Sequence, residues 1–234
     1  MRRISLLLLA LAFATPAAAQ TVDLNLVLAV DVSGSVNAAR YELQRQGYAA
    51  AFRDPLVQQA IATGTHQAIA VAMVQWTGPE LHIIVVDWTL VRDPSSAAAL
   101  AATFAAMPRQ LFGGGTSVSG AIDFAMQMLP KSPYRSERRV IDVSGDGANN
   151  RGRPADVARD EAVKQGVVIN GLPILGLEPD LDEWYRDNVI GGPGAFVVTA
   201  QGYDNFAQAI RDKLVNEIAR RGPVRPVAAR LARR

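Results

Sequence analysis

Five oxygen-bearing residues in three short stretches are the part of this sequence best suited to chemistry. "DVSGSV" sets Asp31, Ser33 and Ser35 at alternate positions, "GGGTS" carries Thr116, and "VSGDG" carries Asp146. The first stretch closes the apolar run Leu26–Val30 and the third follows "RRVI". A carboxylate at the end of so hydrophobic a strand costs several kcal/mol unless something compensates it. Carboxylate and hydroxyl oxygens are hard donors, suited to Mg²⁺, Mn²⁺ or Ca²⁺. The chain has no cysteine, which removes disulfides, thiolate ligands and cysteine nucleophiles together, and its two histidines, His66 and His82, lie elsewhere. Two acids with three neutral hydroxyls offer five donor residues where Mg²⁺ takes about six oxygens, which leaves one coordination position open. Such an ion attracts an external carboxylate. The expected cofactor is therefore a divalent cation, Mg²⁺ first, with Mn²⁺ or Ca²⁺ as alternatives.

For these residues to act together, the elements before them must end at one edge. "VDLNLVLAV" reads as a strand and "AARYELQRQGYAAAFRD" as an amphipathic helix. "HQAIAVAMVQWTG" and "ELHIIVVDWTLV" are strand-like runs joined by Gly78-Pro79, which predicts an antiparallel hairpin. A helix near Ser95 to Ala106, the glycine-rich loop "FGGGTS" and a helix from Val118 to Leu129, stopped by Pro130, come next. The rest reads as strand "RRVIDVSGDG", helix 154–165, strand "VVINGLPIL", a short helix Leu181 to Asn188, strand "AFVVTA" and a helix from Tyr203 to Arg220. Strands and helices in alternation predict an α/β fold: one doubly wound, mostly parallel sheet with an antiparallel edge strand and helices on both faces. In such sheets ligands bind beyond the carboxyl ends of the strands, where strand order reverses. If the first strand is central and the "RRVIDVSG" strand is its neighbour, Asp31, Ser33, Ser35, Thr116 and Asp146 surround one point.

With these motifs in order, the chain resembles a von Willebrand factor type A domain, whose metal-ion-dependent adhesion site reads Asp-x-Ser-x-Ser, a threonine on a second loop and an Asp-Gly aspartate on a third. All five positions are present: Asp31, Ser33 and Ser35, then Thr116, then Asp146 before Gly147. The resemblance covers Val22 to Ala219, and the chain is also similar to a group of exported bacterial proteins with this domain. It implies that Ser33 and Ser35 touch the metal directly, and that Thr116 joins in the ligand-bound conformation. Asp31 and Asp146 would orient waters and balance charge, and an Asp or Glu of a partner protein would complete the shell. The implied function is an exported, metal-dependent protein-binding module.

Each motif also has a plainer reading. Asp and Ser after a strand cap helices, Gly-Gly-Gly-Thr-Ser can be a turn or a phosphate cradle, and Asp-Gly is a common turn. Asp142 and Ser144 are rivals for the third-loop role, but Asp142 lies before the strand's end and is expected on the other face of the sheet. Asn149, Asn150, Arg151 and Arg153 follow the site and are candidates for its partner-binding rim, either steering an acidic partner or forming an ordinary solvated loop. An ion that merely ties the loops together is an alternative, as is, more remotely, a Mg²⁺-dependent phosphotransfer or hydrolytic enzyme. Against catalysis, there is no Gly-x-Ser-x-Gly, Lys131 and Lys164 are poorly placed, and neither histidine follows a nucleophile in a suitable loop. No catalytic residue is expected.

The two ends suggest where the protein works. "MRRISLLLLALAFATPAAAQ" has the basic start, short apolar run and small residues of a cleavable secretory signal, expected over residues 1–19. The domain is expected over 20–220 and a basic, disordered tail over 221–234. The net charge of +2 falls to zero without Arg2 and Arg3, and setting aside the six arginines from Arg220 onward leaves the body at −6. An acidic body and a tail without aromatics give no expectation of nucleic-acid binding. No transmembrane segment is expected after cleavage, and the expected location is periplasmic or secreted.

Overall fold

The structure is a computed structural model and describes residues 19–220. The expected leader, apart from Ala19, and the expected tail 221–234 lie outside the described residues. In chain order the elements are β1 (Leu24–Asp31), α1 (Ala38–Arg53), α2 (Pro55–Ala62), β2 (Ile69–Trp76), β3 (His82–Val91), α3 (Pro94–Ala106), α4 (Val118–Met128), β4 (Arg139–Gly145), α5 (Ala155–Lys164), β5 (Val168–Pro173), α6 (Leu181–Asn188) and α7 (Phe206–Ala219). Short 3-10 turns follow α4 and precede α7.

The sheet runs β3-β2-β1-β4-β5. β1 is central and parallel to β2 and β4, β5 is parallel to β4, and β3 is antiparallel to β2 at the edge. All eight residues of β1 are buried, as its continuous apolar run demands of a strand covered on both faces. Its even positions, Leu24, Leu26, Leu28 and Val30, pack with Tyr48, Phe52, Phe104 and Phe206 beneath α1, α3 and α7. Val27 and Ala29 pack with Ile122, Ala158 and Tyr185 beneath α4, α5 and α6. The period-two alternation of a strand thus divides the core into two halves.

Two elements differ from the sequence expectation. The helix expected to run from residue 38 through Asp54 is followed at once by a second one, because Asp54 closes α1 and caps α2, accepting a 2.8 Å hydrogen bond from Leu56 N, with Pro55 in the first helical position. The expected strand "AFVVTA" forms only isolated bridges to β5 and its extension, Gly171 with Val197 and Ile174 with Ala200. Hydrogen bonds run at both ends of this pairing, from Gly171 N to Phe196 O and from Leu175 N to Ala200 O. Between them stands Pro173, which has no N–H to donate, so the ladder breaks there.

Candidate metal centre

The order of the sheet brings the ends of β1 and β4 side by side, and the oxygen-bearing residues leave from those ends. Asp31 closes β1 and is fully buried. Its Oδ1 accepts a 2.7 Å hydrogen bond from Ser33 N, which turns the chain so that both serine hydroxyls face the same point. Ser33 Oγ lies 3.1 Å from Ser35 Oγ, and Ser35 Oγ donates to Asp146 Oδ1 at 2.5 Å. Asp146 is 1% exposed. Asp31 Oδ2 is buried with no hydrogen-bond partner among the described residues. Burial first, and then the charge of Asp146, push the Asp31 carboxyl up to about 7.

Several residues that the motif does not include support this centre. Tyr203, just before α7, donates its hydroxyl to Asp146 Oδ2 at 2.9 Å. Burial, followed by the charges of Asp146 and Asp31, holds that phenol well above its usual range. Arg40, on the first turn of α1, donates to Ser35 O at 2.8 Å and lies 3.4 Å from Asp146 Oδ2. Arg109 Nη2 donates to the carbonyls of Val32 and Ser33, at 2.8 and 2.9 Å. Glu178 accepts from Ala148 N at 3.0 Å. None of these carries a sequence signal, since each reaches the site through a contact remote in the chain or by folding back along a helix.

Gly145, the last residue of β4, makes the close packing possible. A Cβ there would lie 2.9 Å from Tyr185 Oη and 3.0 Å from Asp31 Oδ2. Tyr185 Oη is likewise buried without a partner among the described residues, so two unpartnered oxygens face the same backbone.

Thr116 lies on the loop between α3 and α4. It is 6% exposed, and its Oγ1 would stand 3.8 Å from a Cβ on Gly147, which places it against the Asp146-Gly147 turn. The loop is fastened on two sides. Ser117 N donates to Thr77 O at 2.7 Å, while Thr116 N donates to Asn150 Oδ1 and Thr116 O accepts from Asn150 N, both at 2.9 Å. Gly115 has φ +85° and packs where a Cβ would meet Arg151 Cγ at 2.6 Å, so glycine is required there on both counts.

The four rim candidates separate. Asn149 is a brace, accepting from Ser119 N at 3.1 Å and donating to Arg153 O at 3.1 Å. Asn150 fixes Thr116. Arg153 is turned away into ion pairs with Asp123 and Glu161, at 2.5 and 2.7 Å. Arg151 is exposed beside the glycine-rich loop and has no ion pair among the described residues.

Asp142 does not join the centre. It faces the α1 and α7 side of the sheet, where Lys213 Nζ lies 2.7 Å from its Oδ1 and 2.9 Å from Glu217 Oε2, all three residues being buried. Burial acts to lower the Lys213 pKa, and the two carboxylates more than offset it, holding the ammonium above its usual range. Ser144, on the same face, meets Tyr48 Oη at 3.2 Å. Lys131 and Lys164 are exposed at the far ends of helices that begin beside the site. His82 stacks on Phe124 at 4.8 Å, and the backbone N–H of His66 donates to Asp23.

Among the described residues, no three of the His, Cys, Asp and Glu side chains gather in one place. The donor set here is instead two carboxylates with hydroxyls. That all-oxygen set, an unpartnered buried carboxylate oxygen and the absence of any cation in salt-bridge distance of Asp31 among the described residues fit a hard divalent cation.

A family model described as "Protein of unknown function (DUF1194)" matches residues 21–222. The chain belongs to this family. Comparison with curated proteins returned no match. Among solved structures, this DUF1194 chain is similar to proximal thread matrix protein 1 (PTMP1) from the mussel byssus, with a TM-score of 0.59 at 16% identity over 85% of this chain and 47% of that one. Another structure of PTMP1, with a zinc-occupied MIDAS motif, has a TM-score of 0.57 at 17% identity over 86% of this chain and 47% of that one. The pilus adhesin SpaC from Lactobacillus rhamnosus GG gives 0.60 at 15% identity, over 85% of this chain and 31% of the other. The vWF domain of the type V pili tip protein Mfa5 from Porphyromonas gingivalis gives 0.57 at 12% identity, over 88% and 99%. The DUF1194 chain therefore spans less than half of PTMP1 and about a third of SpaC. The likeness is one of fold, and the fold is that of a von Willebrand factor type A domain.

Proposed function

We propose that this DUF1194 protein is an exported, metal-dependent protein-binding module, in which Asp31, Ser33, Ser35, Thr116 and Asp146 hold a divalent cation and an Asp or Glu of a partner protein completes its coordination. The observation that carries the reading is the convergence of two buried carboxylates on two serine hydroxyls, with Asp31 Oδ2 left unpartnered. When bound, a divalent cation, Mg²⁺ by the hardness of its donors, supplies positive charge and a coordination position open to an external carboxylate. Ser33 and Ser35 present their hydroxyls. Asp31 and Asp146 balance charge and orient water, and Tyr203 holds Asp146 in place. Asn150 keeps Thr116 against the Asp146-Gly147 turn.

The solved structures support a binding role, since they include PTMP1 with a zinc-occupied MIDAS motif and two proteins of pili. Binding rather than catalysis also agrees with the positions of His66, His82, Lys131 and Lys164, none of which joins the centre. Export rests on the leader-like residues 1–19, and agrees with the pilus setting of those neighbours. Among the described residues no helix is long and apolar enough to cross a membrane.

The test is calorimetric titration of Mg²⁺, Mn²⁺ and Ca²⁺ into the chain and its Asp31→Ala variant, with and without acetate. Saturable binding that acetate strengthens and the variant loses is the expected result. No binding by the unaltered chain overturns the reading, and binding indifferent to acetate replaces it with an ion that only ties the loops together.

A further inference from the structure

Arg40 sits beside the centre with donors left over for an anion. Its backbone is fixed in the first turn of α1, where the Asn37 side chain caps Arg40 N at 2.9 Å. Its guanidinium lies over the Tyr203 ring, 5.3 Å from the centroid, and is 27% exposed. One nitrogen, Nη1, makes both of its polar contacts: 2.8 Å to Ser35 O and 3.4 Å to Asp146 Oδ2. The second is long for a charge-assisted bond, which is usually about 2.7–2.9 Å, and Asp146 Oδ2 is better served by Tyr203 at 2.9 Å. Among the described residues, Nε and Nη2 have no hydrogen-bond partner.

Ser35 and Asp146 are thus shared. Their Oγ and Oδ1 atoms belong to the oxygen cluster, while Ser35 O and Asp146 Oδ2 face Arg40. Resting on the metal-bridged reading above, we propose that Arg40 is the second anchor for the partner's acidic side chain, taking one carboxylate oxygen on its free nitrogens while the other oxygen completes the cation. A planar guanidinium with adjacent free donors matches a carboxylate and discriminates against neutral oxygen ligands such as amides or water. The same charge beside Asp146 opposes a cation that arrives alone and favours the cation together with an anion. Arg40 therefore makes the site selective for carboxylates as well as for metal.

The two effects have opposite signs, which a merely structural brace would not produce. In calorimetry on the purified chain, with Mg²⁺ and acetate as probes, Arg40→Gln is expected to bind Mg²⁺ alone several-fold more tightly. Its Mg²⁺-loaded form is expected to bind acetate about tenfold more weakly, as loss of one charge-assisted contact implies. Arg40→Lys, which keeps the charge without the fork, is expected to recover part of the acetate affinity. The acetate result decides. Unchanged acetate affinity in Arg40→Gln, or parallel loss of Mg²⁺ and acetate binding, overturns the assignment of Arg40 and leaves the metal reading standing. Absence of Mg²⁺ binding by the unaltered chain overturns the metal reading and this inference with it.

Discussion

Asp31 combines a motif position with full burial, and its environment gives a pH signature. In the fold its pKa is pushed up to about 7, from an ordinary value of 3.8, by burial and then by Asp146. Without metal, the folded chain therefore holds a proton that the unfolded chain has lost, over a window from about 4 to about 7. The stability linked to that proton is fully present below about pH 4 and is lost as pH rises through about 7, a change on the order of 4 kcal/mol. In the presence of a chelator, the difference between melting temperatures at about pH 5.5 and about pH 8 is expected to shrink in Asp31→Asn relative to the unaltered chain. Equal slopes in the two proteins would contradict this assignment. The five oxygen-bearing residues were legible because each lies in a short motif at a strand end. Tyr203, Arg40 and Tyr185 were not, because a tyrosine before a helix or an arginine in its first turn has no pattern that points to a carboxylate elsewhere.

β4 shows how one strand serves two sites. Asp142 and Ser144 point to the α1 and α7 face, and Asp146 passes the end of the strand into the centre. The alternation of a strand was enough to send Asp142 away from the centre. Its partner Lys213 was hidden, since only the docking of α7 brings that helix against β4. Lys213→Met leaves Asp142 and Glu217 buried without their cation, and is expected to cost about 3–5 kcal/mol in urea denaturation. Adding Asp142→Asn should recover part of that loss. Gly145→Ala, at the end of the same strand, pushes a methyl against Tyr185 Oη and Asp31 Oδ2 and is expected to cost about 1–3 kcal/mol. A midpoint unchanged by either single substitution would contradict the packing described. The element boundaries that sequence reading missed also have local causes. Asp54-Pro55 is a cap and start signal between two helices, and Pro173 removes the donor that the expected last strand needed.

Across the molecule, the alternation of strands and helices was sufficient to give the doubly wound sheet, and the Gly78-Pro79 turn its antiparallel edge; the central place of β1 was only supposed, and the strand order β3-β2-β1-β4-β5 supplies it. What the chain binds was less open to view, since the rim is built from loops whose side chains turn either toward the centre or into ion pairs such as Arg153 with Asp123. If the centre takes a cation, its loops and the strand ends are coupled to it. Mg²⁺ at about a hundred times its dissociation constant is then expected to add about 2.7 kcal/mol of stability, roughly 5–10 °C in melting temperature for a domain of this size. Asp31→Ala should show no such shift. The central claim is that Asp31, Ser33, Ser35, Thr116 and Asp146 form one metal centre, and the most direct measurement is anomalous diffraction from crystals grown with saturating Mn²⁺. The account predicts an anomalous peak among Ser33 Oγ, Ser35 Oγ and Thr116 Oγ1. A map with no peak there, or with Mn²⁺ bound only elsewhere on the molecule, would contradict it.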